Sequence, residues 1–335
     1  MEENCDVLVI GGGPSGSVAA CKLLKAGFSV TILEKLEFPR FVIGESLLPR
    51  CNEILEKNGL IDVIEEQGFM LKPGAIFIDE NKQEELIDFR NNLGQKWGTS
   101  YQVKREEFDN VLLETAKKWG ADVRHKYEVI AYDNDNNKVT ATDENGKERV
   151  FKARFVLDAS GYGRVLPKLL DLDIPSDLRL RNAIFTRVEG ETRREKDKEG
   201  FIDIVIHDDN KAWLWGIPFS DGVTSIGVVC EESYFEKTGL NLEDFFDKVI
   251  NEHEYLKEKY KDAKKLRPVG VINGYSAAIK TMHGKGFALS GNATEFLDPV
   301  FSSGVTLALE SSDRVGDLII KELNGEKVDW QKDYE

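Results

Sequence analysis

The sequence predicts an α/β fold: a Rossmann-like three-layer domain with an antiparallel sheet inserted into it. Three observations point there. Near the start, DVLVIGGGPSGSVAACKLLKAGFSVTILEK reads as strand, glycine turn, helix and strand. In the middle, NAIFTRVEG, FIDIVIH, AWLWGIP and VTSIGVV are short segments with an apolar period near two. At the end the chain returns to an apolar strand, GFALSG, and a long helical stretch, FSSGVTLALESSDRVGDLIIKEL.

Taken in order, the first strand covers Val7 to Ile10, and its helix stops at Gly27, a natural residue just past a helix end. The second strand runs from Val30 to Leu33 and ends at Glu34. EFPRFVIGESLLP is a loop leading into a helix near Arg50 to Asn58. AIFIDENKQEELIDF reads as a hairpin turning at Asp79–Lys82, and VKREEFDNVLLETAKKWG as an amphipathic helix ending at Gly120. VRHKYEVIAYDNDNNKVTATDENGKERVFKARFVLDAS reads as a strand meander with Asn, Asp and Gly turns, finishing on Phe155 to Leu157. After the four middle strands, the last two joined through SDG, one helix is expected from Leu242 to Tyr260.

Totals narrow the function classes. The 335 residues suffice for two or three modules with sizeable cores. A net charge of −15 argues against a nucleic-acid surface, which needs an excess of Lys and Arg. REEFD, TRREKDKEG and HEYLKEKYKDAKK mix both signs and read as solvated faces. The cysteines Cys5, Cys21, Cys51 and Cys230 form no C-x-x-C pair and read as reduced thiols. His125, His207, His253 and His283 have no metal-ligand spacing, so no metal is expected, and His253 reads as packing. No apolar run reaches membrane-spanning length, and MEENC leads at once into a strand rather than a secretory leader. A cytoplasmic protein without stable membrane insertion is expected.

Gly11-Gly12-Gly13-Pro14-Ser15-Gly16 fits G-x-G-x-x-G between a strand and a helix, and Glu34 follows Gly16 by 18 positions. Gly11 permits the tight turn, Gly13 lets backbone approach a pyrophosphate, and Gly16 lets helix and strand sit close. The helix N-terminus aims free N–H groups at phosphates, and Glu34 can accept both ribose hydroxyls. Outside this site, WLWGIP places Trp213, Trp215 and Ile217 on one strand face, with Gly216 on the other. On composition alone those indoles are an ordinary packed cluster.

GGGPSG with Glu34-Lys35 resembles the FAD-binding flavoprotein oxidoreductases, and two later stretches extend the likeness. Asp158-Ala159-Ser160-Gly161 resembles their second flavin motif. Gly291-Asn292-Ala293 with Pro299 and Gly304 resembles the third, although Asn292 stands where Asp is usual; its amide carbonyl can still accept a hydrogen bond. FPRFVIGESLLP, Lys72-Pro73-Gly74, WLWGIP and FLDPVFSSGVTLAL together resemble the flavin-dependent halogenases, within a wider family of aromatic hydroxylases and geranylgeranyl-type reductases. The likeness runs to about residue 325.

The resemblance implies FAD as cofactor, with contacts from Gly11, Gly13, Pro14, Ser15, Gly16, Glu34, Lys35, Arg40, Ser46, Arg105, Val129, Asp158, Gly161, Gly291, Asn292, Pro299, Gly304 and Val305. It implies that reduced FAD and oxygen turn halide into hypohalous acid, that Lys72 is the reactive lysine, and that halide rests near Ser303 and Gly304. Trp213, Trp215, Ile217 and Pro218 then form a wall keeping the organic substrate from the flavin. The implied partner is a small aromatic or carrier-tethered substrate; since no second complete G-x-G-x-x-G is present, electrons are expected from a separate flavin reductase or from NAD(P)H bound without a dedicated domain. An NAD(P)H-dependent hydroxylase, a polyprenyl reductase and a non-catalytic binding protein on the same fold stay open as alternatives. The expected domains are an FAD-binding part (1–72, 99–165 and 270–325), a substrate part (73–98 and 166–269), and the start of a C-terminal helical region (326–335).

Overall fold

The computed structural model describes residues 2–91, 96–176, 180–209, 211–273, 278–295 and 299–334. β1 (Glu2–Ile10) runs into the glycine turn and α1 (Pro14–Lys25), and β2 (Val30–Glu34) pairs beside β1 in parallel. Pro14 opens α1, where its missing N–H is not needed, and Gly27 at φ +89° follows its end. α2 (Pro49–Lys57) and α3 (Ile61–Glu65) follow the loop. β3 (Met70–Lys72) then pairs with β6 (Ser100–Gln102), while between them β4 (Gly74–Ile78) and β5 (Glu84–Asp88) form a hairpin. α4 (Arg105–Lys118) carries Glu106 and Glu107 in its first turn and Lys117 and Lys118 in its last, matching the helix dipole.

β7 (Asp122–His125) does not join the meander expected from the sequence; it lies parallel beside β2. β8 (Glu128–Asp133), β9 (Lys138–Thr142) and β10 (Glu148–Asp158) form the meander, and β10 pairs with β1 along its length. After α5 (Val165–Leu169), β11 (Asp173–Ile174) makes a small ladder with β18 (Ala278–Ile279). The second sheet is built from β12 (Arg181–Glu189), β13 (Ile202–His207), β14 (Ala212–Pro218) and β15 (Val223–Glu231). β4 adds to β13 in parallel, and the 220–222 loop closes the last hairpin through a Phe219 N–H to Val223 O bond of 2.8 Å.

α6 (Glu232–Glu236) precedes α7 (Leu242–Glu252) and α8 (Glu254–Lys259). The single helix expected from Leu242 to Tyr260 is therefore two. His253 is extended (φ −93°, ψ 115°) and turned inward, its ring 6.2 Å from that of buried His207. β16 (Lys264–Lys265) and β17 (Gly270–Asn273) both pair with β12, so the second sheet continues past the boundary expected at residue 270. β19 (His283–Gly284) and β20 (Phe287–Leu289) return to the first sheet, whose order is β19-β20-β10-β1-β2-β7. α9 (Ser303–Leu323) packs on α1 and α2. α10 (Trp330–Asp333) folds back: Trp330 stacks on Phe155, and Tyr334 donates to Leu289 O at 2.6 Å.

Packing follows these layers. The core formed by α1, α2, α4 and α9 lies on one face of the first sheet, and Leu8, Leu33, Val156 and Leu289 pack on the other with the meander. The second sheet also has two buried faces. Leu214, Ile226 and Val228 meet Phe245, Phe246 and Val249 of α7 on one. Trp213, Trp215, Ile217, Ile202, Ile204 and Phe185 fill the other, which faces the first domain.

Candidate active site

A cavity of about 700 Å³ lies between the two sheets, within the range of cofactor pockets. One end is the dinucleotide turn. Gly11, Gly13, Pro14 and Ser15 line it; Gly16 lies inside α1 and does not. Gly13 caps α1 with no side-chain bond, so the first helical amides have no side-chain acceptor at the cap. Glu34 sits at the end of β2 with Oε2 accepting from Gly12 N–H and Oε1 from Leu36 N–H, both at 2.8 Å. Its carboxylate is thereby held on the cavity wall.

Lys35, Arg40, Ser46, Arg105, Val129, Gly161, Asn292, Gly304 and Val305 also line the cavity. Arg40 and Arg105 share buried Asp109: Arg40 Nη1 lies 3.1 Å from it, and Arg105 Nε and Nη2 lie at 2.7 and 2.9 Å. Arg105 Nη1 also donates to Ile43 O at 3.0 Å, tying down the strap of residues 43–47. Asp158, expected as a cofactor contact, does not line the cavity. It is buried behind the cavity, and its oxygens accept from Ser160 N–H (2.9 Å) and Leu166 N–H (2.6 Å), shaping the turn that presents Gly161. Gly291 is also off the wall, donating its N–H to Ser311 Oγ at 2.9 Å. Pro299 opens a 3-10 turn before α9. Phe296, Leu297 and Asp298 of the FLDPVF stretch lie outside the described residues. At the start of α9, Ser302 in the left-handed region (φ 58°), Gly304 and Val305 reach the cavity, whereas Ser303 does not.

The opposite wall is the inner face of β14. Trp213, Trp215 and Ile217 line the cavity, while Pro218 ends the strand away from it. The two indoles lie 6.1 Å apart, and Trp215 Nε1–H donates to Ser225 Oγ at 3.2 Å. Gly227 is opposite Trp215 on β15, and a Cβ there would sit 2.2 Å from the indole. The large ring lies flat because its neighbour has no side chain. On the other face, a Cβ at Gly216 would come within 2.6 Å of Tyr260 Oη.

Lys72 lies behind the strap of residues 43–47. It is 1% exposed, and its Nζ donates to Leu47 O at 2.8 Å and lies 5.3 Å from the Phe89 ring centroid. Burial, against a smaller pull from Cys51, lowers its pKa to about 7. It does not line the cavity; the strap at Ser46 and Leu47 stands between. Sequence reasoning missed Glu45, Arg187 and Ser225, which meet beside the tryptophan wall. The available signals were an acid inside GES and a glycine inside the strand VTSIGVV.

The family model described as an FAD binding domain matches residues 4–333. A 1H-pyrrole-2-carbonyl-[peptidyl-carrier protein] chlorinase from Pseudomonas fluorescens is 31% identical, over 93% of this chain and 74% of its own length. The chain belongs to the flavin-dependent halogenase family. A tryptophan 2-halogenase from Chondromyces crocatus is 30% identical over 93% of this chain, which spans only 60% of that protein. Among solved structures, a flavoprotein/dehydrogenase from Cytophaga hutchinsonii superposes with a TM-score of 0.94 at 42% identity, covering 99% of this chain and 82% of that one. The myxobacterial chondrochloren halogenase superposes at 0.90 and 31% identity, covering 99% and 78%.

FAD is the cofactor of this family, and the cavity fits it. An anion can meet the helix amides that lack a side-chain cap, the Glu34 carboxylate suits ribose hydroxyls, and the apolar wall suits a flat ring system. The chain is thus an FAD-dependent oxidoreductase. No helix among the described residues is long and apolar enough to cross a membrane. Among the same residues no group of His, Cys, Asp and Glu is arranged to hold a metal.

Proposed function

We propose that this member of the family is a halogenase acting on a small aromatic or carrier-tethered substrate, with electrons delivered by a separate flavin reductase. The observation that carries the reading is Lys72. A lysine 1% exposed, held by a backbone carbonyl rather than a carboxylate, is a costly arrangement for packing alone. Bound reduced FAD supplies, with O2, the oxidising equivalent that turns halide into hypohalous acid. Lys72 then holds that acid: its ammonium form donates hydrogen bonds, and its neutral amine is a nucleophile. With its pKa lowered to about 7, both forms are populated near neutrality. Trp213, Trp215 and Ile217 exclude the organic substrate from the flavin side while leaving room for an ion. Gly304, with neighbouring Ser303, offers a halide the positive end of α9. The relatives' substrates, a carrier-bound pyrrole and tryptophan, motivate the substrate class.

The test combines the FAD-loaded protein, a flavin reductase, bromide or chloride, and a panel of aromatic and carrier-tethered acceptors read by mass spectrometry. Wild type should give halogenated product, at a rate rising through pH 7 as the Lys72 amine deprotonates. Lys72→Ala should lose about a hundredfold or more. Hydroxylated product without halide would replace this reading with the hydroxylase, and undiminished halogenation by Lys72→Ala would remove the lysine's role.

A further inference from the structure

Arg164 follows the second flavin motif, in the turn between β10 and α5, and is buried. Its backbone is left-handed (φ 47°), a region that a residue with a side chain enters at a cost. The turn itself is held by others. Asp158 takes the Ser160 and Leu166 amides, and Ser160 Oγ takes the Val165 N–H at 3.1 Å. The Arg164 side chain leaves its own turn and crosses to the third flavin motif. There Nη1 donates to Thr294 O at 2.6 Å and approaches Ala293 O at 3.4 Å. Its other nitrogens meet the β11–β18 ladder: Nε donates to Asp173 Oδ1 at 3.0 Å and Nη2 to Ala278 O at 3.1 Å. Nη2 also pairs with the Asp173 carboxylate. Acceptors spread over three segments of chain suit the rigid guanidinium fork, whereas a lysine would bring all its donors to one point.

We propose that Arg164 is a positioning residue that holds the turn of residues 291–294 in place and thereby keeps Asn292 on the wall of the FAD cavity. The claim rests on FAD as the cofactor and not on the halogenase reading. Asn292 lines the cavity and Arg164 does not, so the arginine acts through the turn. At the start of that turn, Gly291 N–H donates to Ser311 Oγ on α9 at 2.9 Å. Inside it, Thr294 Oγ1 donates back to Gly291 O at 2.7 Å. Where the 3-10 turn runs out, the carbonyls of Ala293 and Thr294 point at Arg164. The arginine is aimed from behind by both strands of the small ladder, through the Asp173 carboxylate on β11 and the Ala278 carbonyl on β18. Bonds from a buried guanidinium are short and directional, so the turn inherits the fixed position of the ladder.

The experiment titrates FAD, and separately ADP, into the full-length FAD-free protein by calorimetry. ADP carries the phosphates and ribose suited to the glycine turn and Glu34, and it lacks the part of FAD that extends past them. Arg164→Ala and Arg164→Gly should both bind FAD about tenfold or more weakly, while ADP affinity stays within about twofold of wild type. Glycine relieves the left-handed backbone and deletes the strut. Wild-type FAD affinity in Arg164→Gly would mean that residue 164 serves only its own turn, and it overturns the proposal. An equal loss of FAD and ADP affinity overturns it too, because the damage is then to the whole site. Asp173→Asn keeps the arginine and removes its carboxylate; it should weaken FAD about threefold and again spare ADP. If the arginine variants do not fold, that variant decides alone, and unchanged FAD affinity in it overturns the proposal. Neither titration needs halide or an acceptor, so a failed halogenation assay would sink the halogenase reading and leave this one to its own result.

Discussion

On β14, Trp213, Trp215 and Ile217 face the cavity, whereas Ala212, Leu214 and Gly216 face the helices behind the sheet. Burial does not separate the two faces, since all seven residues of the strand are buried. What they meet does. Behind the sheet, Asp203 beside Gly216 is fully engaged: Oδ1 takes Arg194 Nε at 2.7 Å, and Oδ2 takes Lys259 Nζ at 2.6 Å and the Tyr255 hydroxyl at 2.9 Å. Around the cavity, Trp213 Nε1, Ser46 Oγ and Glu45 Oε2 are buried without partners. Buried atoms without partners occur behind the sheet as well, at both ring nitrogens of His253. One face packs against α7, and the other lines an open cavity.

The contrast can be broken by mutation, and the largest effect is expected behind the sheet. Leu214→Ala, fully buried against α7, should cost about 2–5 kcal/mol in urea unfolding of the FAD-free protein. Its bound flavin should keep the wild-type visible spectrum; a shifted spectrum would mean that the two faces are not separate. Next come two glycines given the same insult. Gly216→Ala and Gly227→Ala should each cost about 1–3 kcal/mol, since each new methyl meets an occupied site. Only Gly227→Ala, which displaces the Trp215 ring, should change flavin fluorescence. The smallest stability effect belongs to Trp213→Phe, within about 1 kcal/mol, because it removes an indole N–H that has no partner. Halogenated product per O2 consumed should nonetheless fall, as measured by mass spectrometry and an oxygen electrode.

Legibility in the sequence followed distance along the chain. The glycine turn, Glu34 and the face shared by Trp213, Trp215 and Ile217 are set by local geometry, and the structure places them where that geometry says. Asp158 was visible as a motif, but its hydrogen bonds to Ser160 and Leu166 depend on the turn that follows, so a motif alone does not show which way it points. The break at His253 was hidden because helical periodicity continues through Tyr260; a ring drawn toward His207 overrides it. Glu45 and Arg187 are 142 positions apart and meet only when two domains close on each other. Gly227 was readable in principle, since a glycine inside a strand signals something large lying close, but not what that something was.

The bond from Lys72 to Leu47 has a stereoelectronic consequence. An amine that has lost its extra proton still donates N–H to the Leu47 carbonyl, so its lone pair must point away from that oxygen. The strap therefore aims the orbital as well as anchoring the chain. Because the acceptor is a main-chain atom, substitution of the Leu47 side chain leaves it in place. The lone-pair direction of the nitrogen is thus shielded from much of the drift that reshapes side chains around it.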